Sequence, residues 1–166
     1  MILSKENIEN NFRLALRRMA SSVSIVTAAC EDKQAGMTVS SVASLSFDPA
    51  SLLVCIHKDS GFYNVINKTD KFCLNLLDQK QSEISNKFSR PASEKNIFEN
   101  GNWLLRDGLP YLEDAQANFF LDIKKVDIYG THGIFIGEVF DTYYADKVSP
   151  LVYMDGSYGA VKESQT

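Results

Sequence analysis

The sequence predicts a mainly β protein with a few helices, its strands mostly antiparallel and folded into a barrel or a sandwich. Three observations carry this. Six or seven short runs rich in β-branched and aromatic residues recur between residues 23 and 154. Turn residues separate them, among them Asp48-Pro49 and Gly130-Thr131. Helical spacing of apolar residues shows in only three places, residues 8–19, 60–67 and 79–88.

The first of these reads as an amphipathic helix. Ile8, Phe12, Ala15, Leu16 and Met19 form its apolar face, Arg13, Arg17 and Arg18 its wet face, and Ser4 its N-cap. Residues 23–30 (VSIVTAAC) switch to a strand pattern, and the polar residues 31–36 read as a turn. Strands follow over 38–47 and 52–57, parted by Pro49, which cannot donate to a ladder. The run at 52–56 is apolar throughout and predicts a strand buried on both faces. Residues 60–67 read as a short helix capped by Ser60, 72–77 as a strand, and 79–88 as a helix with Ile84 and Phe88 four residues apart. Residues 89–112 look irregular, the length of a lid, with Trp103 as its anchor. Two long paired strands over 119–129 and 132–144, and a short one at 151–154, complete the pattern.

At 166 residues the chain reads as a single domain with a core of its own. Its net charge of −4 lacks the basic face that nucleic acid requires, and no apolar run reaches the length of a membrane span. The first residues have no signal-peptide core, and Cys30, Cys55 and Cys73 are odd in number and widely spaced. They read as reduced thiols of a cytoplasmic protein. Dinucleotide and P-loop glycine motifs, Cys-x-x-Cys, His-Glu-x-x-His and the serine nucleophile elbow are all missing from the sequence. With His57 and His132 as the only histidines, no metal site is expected. What remains is ligand binding, or cofactor chemistry in which the protein positions a borrowed reactive group.

One stretch stands out. Residues 36–49 (GMTVSSVASLSFDP) place Thr38, Ser40, Ser41, Ser44 and Ser46 in an otherwise apolar run. Buried hydroxyls need partners, which a polar anionic ligand lying along the strand would provide. The alternative is an edge strand whose hydroxyls face water.

Taken in order, the motifs resemble one family. They are the segment from Phe12-Arg13 to Val26-Thr27, then Gly36-Met37-Thr38-Val39-Ser40-Ser41, Ser46-Phe47-Asp48-Pro49 and Leu53-Val54-Cys55-Ile56. Phe72-Cys73-Leu74-Asn75-Leu76-Leu77, Gly130-Thr131-His132, Ile136-Gly137-Glu138-Val139, and Pro150 to Tyr153 with Gly156-Ser157-Tyr158 follow. This ordered set, over about residues 10 to 160, is similar to the flavin reductases, the small reductase components of two-component flavin monooxygenases.

The resemblance implies a split β-barrel of Greek-key type that binds FMN or FAD, usually as a homodimer. It implies oxidation of NADH or NADPH, reduction of flavin, and release of reduced flavin to a separate flavin-dependent oxygenase component. It places Met37, Thr38, Val39, Ser40 and Ser41 along the flavin and Lys58, Asp59 and Ser60 at its phosphate. A lysine and a hydroxyl at a helix start suit a phosphate, although each also has an ordinary surface role. It places His132 beside the nicotinamide as the catalytic-site residue, in a motif where the family usually carries Gly-Asp-His. His57 reads as a strand-end surface residue. Phe88 and Arg90 fall near the dinucleotide, with core packing as the plain alternative for Phe88. Tyr153 and Tyr158 border the rings. The alternative function is a flavin-binding split barrel without turnover, an electron carrier or store. A split-barrel oxidase of a phosphorylated vitamin and a redox-silent ligand-binding barrel are further alternatives.

Overall fold

The structure, a computed structural model, describes residues 4–31, 33–90 and 97–162. Helix α1 (Lys5–Leu16) starts where the Ser4 hydroxyl accepts the Asn7 N–H at 3.3 Å, the expected cap. Its apolar stripe, however, faces outward. No residue of α1 is buried, and Ile8, Phe12 and Met19 are 53%, 63% and 63% exposed. The amphipathic period was legible, but this chain offers the stripe no core to cover. The helix is tied down at its far end instead. Arg17 Nε donates to Asp155 Oδ1 at 2.9 Å, and the Asp155 N–H donates to the Arg17 carbonyl at 3.0 Å.

The chain continues through β1 (Ser21–Ser22), β2 (Ser24–Cys30), β3 (Lys33–Val39), β4 (Val42–Phe47) and β5 (Ala50–His57). The turn expected at 31–36 is therefore shorter, and the strand expected at 38–47 is broken at Ser40-Ser41. Next come α2 (Tyr63–Ile66), β6 (Lys71–Leu76), α3 (Ser82–Phe88) and a 3-10 turn at Ile97–Glu99. Strands β7 (Trp103–Arg106), β8 (Leu109–Leu112), β9 (Ala117–Tyr129), β10 (His132–Tyr144), β11 (Leu151–Met154) and β12 (Ser157–Ala160) finish the chain.

Seven strands form one sheet in the order β3-β2-β6-β9-β10-β5-β4. Its two edge strands are consecutive in sequence. The three steps from Val39 to Val42 span at most about 11 Å, so the sheet must curl until its edges come close. Among the described residues no ladder joins β3 to β4, and the barrel is not closed. Burial on both faces falls to the inner strands, at Ser24 to Ala28 of β2 and Phe72 to Asn75 of β6. It does not fall to 52–56 as expected, because β5 lies next to an edge and buries only Ser51, Val54 and Ile56. The main core packs Val26, Val54, Ile56, Phe72, Leu121 and Phe135 inside the curl. A second core joins Ile25, Leu77, Phe88, Leu112 and Leu151 on the other side of β2.

The region expected to be irregular holds a hairpin, β7–β8, turning at Asp107 (φ 50°) and Gly108 (φ 80°). Residues 91–96, with Pro91, lie outside the described residues. Arg106 anchors the hairpin. It bonds the Asp141 carboxylate and the Tyr143 hydroxyl and lies 4.8 Å over the Phe120 ring. The Arg106 bond, then the Thr142 N–H, hold the Asp141 carboxyl below its ordinary range. A carboxyl whose pKa falls on folding adds stability above its unfolded value, and loses that contribution as pH drops through the folded one. Asp141→Asn is therefore expected to melt lower than the unsubstituted protein at neutral pH. The two melting curves should converge below the ordinary carboxylate range.

A second, three-stranded sheet has the order β1-β11-β12. Strand β12 was not anticipated, although its turn, Asp155 (φ 51°) and Gly156 (φ 82°), is the Asp-Gly pair that favours tight hairpins. No helix among the described residues is long and apolar enough to cross a membrane.

Candidate functional site

The Ser40-Ser41 bend, the β11–β12 hairpin, α3 and the end of α1 enclose two adjoining cavities. One, of about 610 Å³, is walled by Arg13, Arg17, Ser40, Ser41, Tyr153 and Asp155. The other, of about 390 Å³, is walled by Thr38, Ser85, Asn86, Ser89 and Tyr158 and shares Ser40, Tyr153 and Gly156 with the first. Both sizes lie in the range of small-molecule sites, about 300–1,000 Å³.

A set of hydroxyl bonds holds this groove in shape. Thr38 Oγ1 donates to the Ser85 carbonyl at 2.7 Å, and Ser89 Oγ donates to the same oxygen at 2.8 Å. Tyr158 Oη lies 2.8 Å from Ser85 Oγ and donates to Asn86 Oδ1 at 3.2 Å, which leaves the serine as the donor in that pair. The Tyr153 and Tyr158 rings meet edge to face at 5.4 Å.

The hydroxyl-rich run divides accordingly. Ser41 Oγ donates to the Cys55 carbonyl and Ser46 Oγ to the Asp48 carbonyl, both at 2.9 Å. All three hydroxyls thus have protein partners: those of Thr38 and Ser41 brace the bend, and that of Ser46 braces the β4–β5 turn. Ser44 is exposed on edge strand β4, as the water-facing alternative expected. Ser40 is exposed at the bend and opens into both cavities.

Several expected contacts change character. Phe88 is 1% exposed, and its ring packs on Phe98 and Trp103, so it has no surface for a dinucleotide. The core-packing alternative is the correct one, because Phe88 fills the space left by Gly36 opposite. Met37 packs against the main core, and Val39, 5% exposed, belongs to it. Arg90 borders a separate hollow with Glu83 and Lys87 on the outer side of α3.

His132 begins β10, opposite His57 at the end of β5. The two rings meet edge to face at 5.0 Å, while His57 is, as expected, a strand-end surface residue, its side chain 42% exposed. His57 Nδ1 accepts the Asp59 N–H at 3.2 Å, and His132 Nδ1 lies 2.9 Å from Thr131 Oγ1. Thr131 thus stands where a carboxylate would, as a neutral partner. Lys58 is exposed, with its N–H on the Thr131 carbonyl, and the Asp59 side chain is 92% exposed. Ser60 Oγ accepts the Tyr63 N–H at 3.2 Å and keeps its own proton to donate. These residues lie at the end of β5 where Ser41 also sits, since the Cys55 N–H donates to the Ser41 carbonyl at 3.1 Å. They are not among the walls of the two cavities.

Arg13, Ser85 and Asn86 were not foreseen. The four-residue spacing of Arg13 and Arg17 puts both on one helix face, a signal present in the sequence. Nothing local marks Ser85 or Asn86. Among the described residues no group of three or more His, Cys, Asp or Glu is placed to hold a metal ion. A planar, polar-edged cofactor does fit the groove: the exposed Tyr153 ring and the half-buried Tyr158 ring for its face, and the Thr38–Ser41 backbone and hydroxyls for its edge.

The family described as "Flavin reductase like domain" matches residues 16–162. The reductase component of an FADH2-dependent resorcinol hydroxylase from Rhizobium sp. (strain MTP-10005) is 34% identical over 161 residues, 95% of this chain and 90% of that one. An FMN reductase (NADH) of Rhizobium rhizogenes is 30% identical, over 95% of this chain and 92% of its own. In structure, the styrene monooxygenase flavin reductase of Pseudomonas putida S12 superposes with a TM-score of 0.83 at 25% identity, covering 92% of this chain and 98% of that one. A match over most of the sequence, relatives aligned over nearly their whole length and a shared fold place this chain in the flavin reductase family.

Proposed function

We propose that this oxidoreductase transfers a hydride from NADH to FMN or FAD and passes the reduced flavin to a separate flavin-dependent oxygenase. The observation that carries the reading is the groove itself, where the Thr38–Ser41 bend faces Tyr153 and Tyr158. The names of the aligned relatives, an NADH-linked FMN reductase and two reductase components of oxygenases, support it. In this reading the curled sheet is the split β-barrel of Greek-key type, the chain is one catalytic domain, and it acts in the cytoplasm, where free Cys30, Cys55 and Cys73 suit a reducing compartment. The outward stripe of α1, with Phe12 and Met19, supports a homodimer, which light scattering reads directly.

The bound flavin supplies the hydride acceptor and NADH the hydride. The chain supplies orientation and electrostatics. Ser40, Ser41 and the backbone from Met37 to Ser41 hold the flavin edge, and Lys58, Asp59 and Ser60 meet its phosphate. Tyr153 and Tyr158 shape the ring pocket, and Arg90 stands further out along α3. His132, steadied by Thr131 and His57, positions the nicotinamide. No acid or base is required at the reacting atoms.

Steady oxidation of NADH that depends on added FMN or FAD tests the whole reading. Flavin binding without turnover would overturn it in favour of a carrier. His132→Ala is expected to raise the KM for NADH about tenfold, the worth of one charged or polar contact, with kcat within about threefold. Complete loss of turnover with flavin binding intact would show that the histidine does chemistry.

A further inference from the structure

The larger cavity has a basic wall to which no role has been given. Arg13 and Arg17 lie one turn apart on the same face of α1 and at its exit, and both border the cavity opposite Ser40 and Ser41. They are not equivalent. Arg17 is committed: its Nε reaches Asp155 Oδ1 at 2.9 Å, its Nη2 reaches the Asp155 carbonyl at 3.2 Å, and Arg18 adds a 3.5 Å contact to the same carboxylate. These bonds clamp the end of α1 to the β11–β12 turn and so fix the face on which Arg13 stands. Among the described residues, Arg13 has no hydrogen bond or ion pair from its guanidinium. Arg17 and Arg18 already share the one carboxylate of Asp155, so Arg13 keeps the wall positive in a chain whose net charge is −4.

The groove has a definite order. Tyr153 stands where the two cavities meet. On one side lie the amide and hydroxyls of Asn86, Ser85 and Ser89, on the other the arginine wall. A dianionic linkage such as a pyrophosphate suits the arginine wall. A guanidinium fork matches such paired phosphate oxygens better than an ammonium does.

We propose that Arg13, held in place by the Arg17–Asp155 clamp, binds the pyrophosphate of the nicotinamide dinucleotide. This rests on the reading of the protein as an NADH-dependent flavin reductase and adds a dinucleotide-binding residue to it. The competing role for Arg13 is a purely local one, since a basic residue in the last turn also suits the carbonyl end of a helix.

Isothermal titration calorimetry with ADP-ribose, NAD+ and FMN separates the two. Arg13→Gln is expected to weaken ADP-ribose and NAD+ about tenfold and FMN less than twofold, a loss reduced from that of a buried contact because the side chain is exposed. Arg13→Lys keeps the charge for the helix but loses the fork, and is expected to lose about threefold. The salt dependence of ADP-ribose binding should flatten in Arg13→Gln. Unchanged ADP-ribose affinity in Arg13→Gln, no ADP-ribose binding by the unsubstituted protein, or a loss confined to FMN would each overturn the proposal. Failure of the reductase reading shows differently, as NADH that is not oxidised in the presence of flavin by the unsubstituted protein.

Discussion

Asn75→Leu is expected to cost about 3 kcal/mol or more of folding stability, a large part of the margin of an ordinary domain. Asn75 is fully buried in β6, and its amide is a junction. Nδ2 donates to the Ile25 carbonyl at 2.9 Å, while Oδ1 accepts the Leu112 N–H at 2.8 Å and Asn118 Nδ2 at 2.9 Å. Leucine matches the volume but not the bonds. It would leave the Leu112 N–H and one of the two Asn118 amide hydrogens without partners, each at about 1–3 kcal/mol before relaxation. Asn118 also donates to the Leu112 carbonyl at 3.0 Å, so part of the junction survives and limits the loss. Since Leu112 ends β8, the substitution should also loosen the β7–β8 hairpin and with it Trp103. Urea unfolding followed by tryptophan fluorescence reads both effects. A loss below about 1 kcal/mol would mean that the network is dispensable.

The second large effect is at Gly36. A Cβ there would stand 2.6 Å and 2.8 Å from Phe88 Cε1 and Cδ1, and 3.3 Å from Thr27 Cγ2. The Phe88 ring cannot simply swing away, because Phe98 and Trp103 pack against it at 5.4 Å and 5.1 Å. Gly36→Val must therefore lift α3 off β3. Overpacking of this kind costs about 1–3 kcal/mol. It also breaks the Thr38–Ser85 bond and moves Asn86 and Ser89, the outer wall of the groove. The expected result is a lower melting temperature together with at least about tenfold weaker NAD+ binding, Gly36→Ala lying between. Normal stability with normal NAD+ affinity would mean that Phe88 has room to move.

Much of the architecture was legible residue by residue. Strands alternate or run apolar, Ser4 caps α1, Pro49 separates β4 from β5, and Gly130-Thr131 turns the long hairpin. Such signals act over a few residues, where φ/ψ preference and local hydrogen bonds decide. The hairpins at Asp107-Gly108 and Asp155-Gly156 carried the same kind of signal. The first was lost inside a polar stretch, and the second lay beyond the last strand expected.

The candidate site was legible in part. The ordered motifs marked the Thr38–Ser41 bend, Tyr153 and Tyr158, but not which atoms of these residues remain available. Whether a hydroxyl in the bend meets a ligand or a carbonyl depends on Ser85 for Thr38, 47 residues away, and on Cys55 for Ser41. Phe88 is core and not a contact residue because Gly36 leaves a space opposite it.

The sequence by itself determined most of the strand and turn pattern, the cap of the first helix and the family, since all three are written in local spacing and residue order. The tertiary structure alone decided the outward face of α1, the clamp from Arg17 to Asp155 across 138 residues, the His57–His132 contact and the junction at Asn75. The physical reason is that each depends on how segments distant in sequence meet, and a side chain's burial, partners and remaining free atoms exist only once they have met.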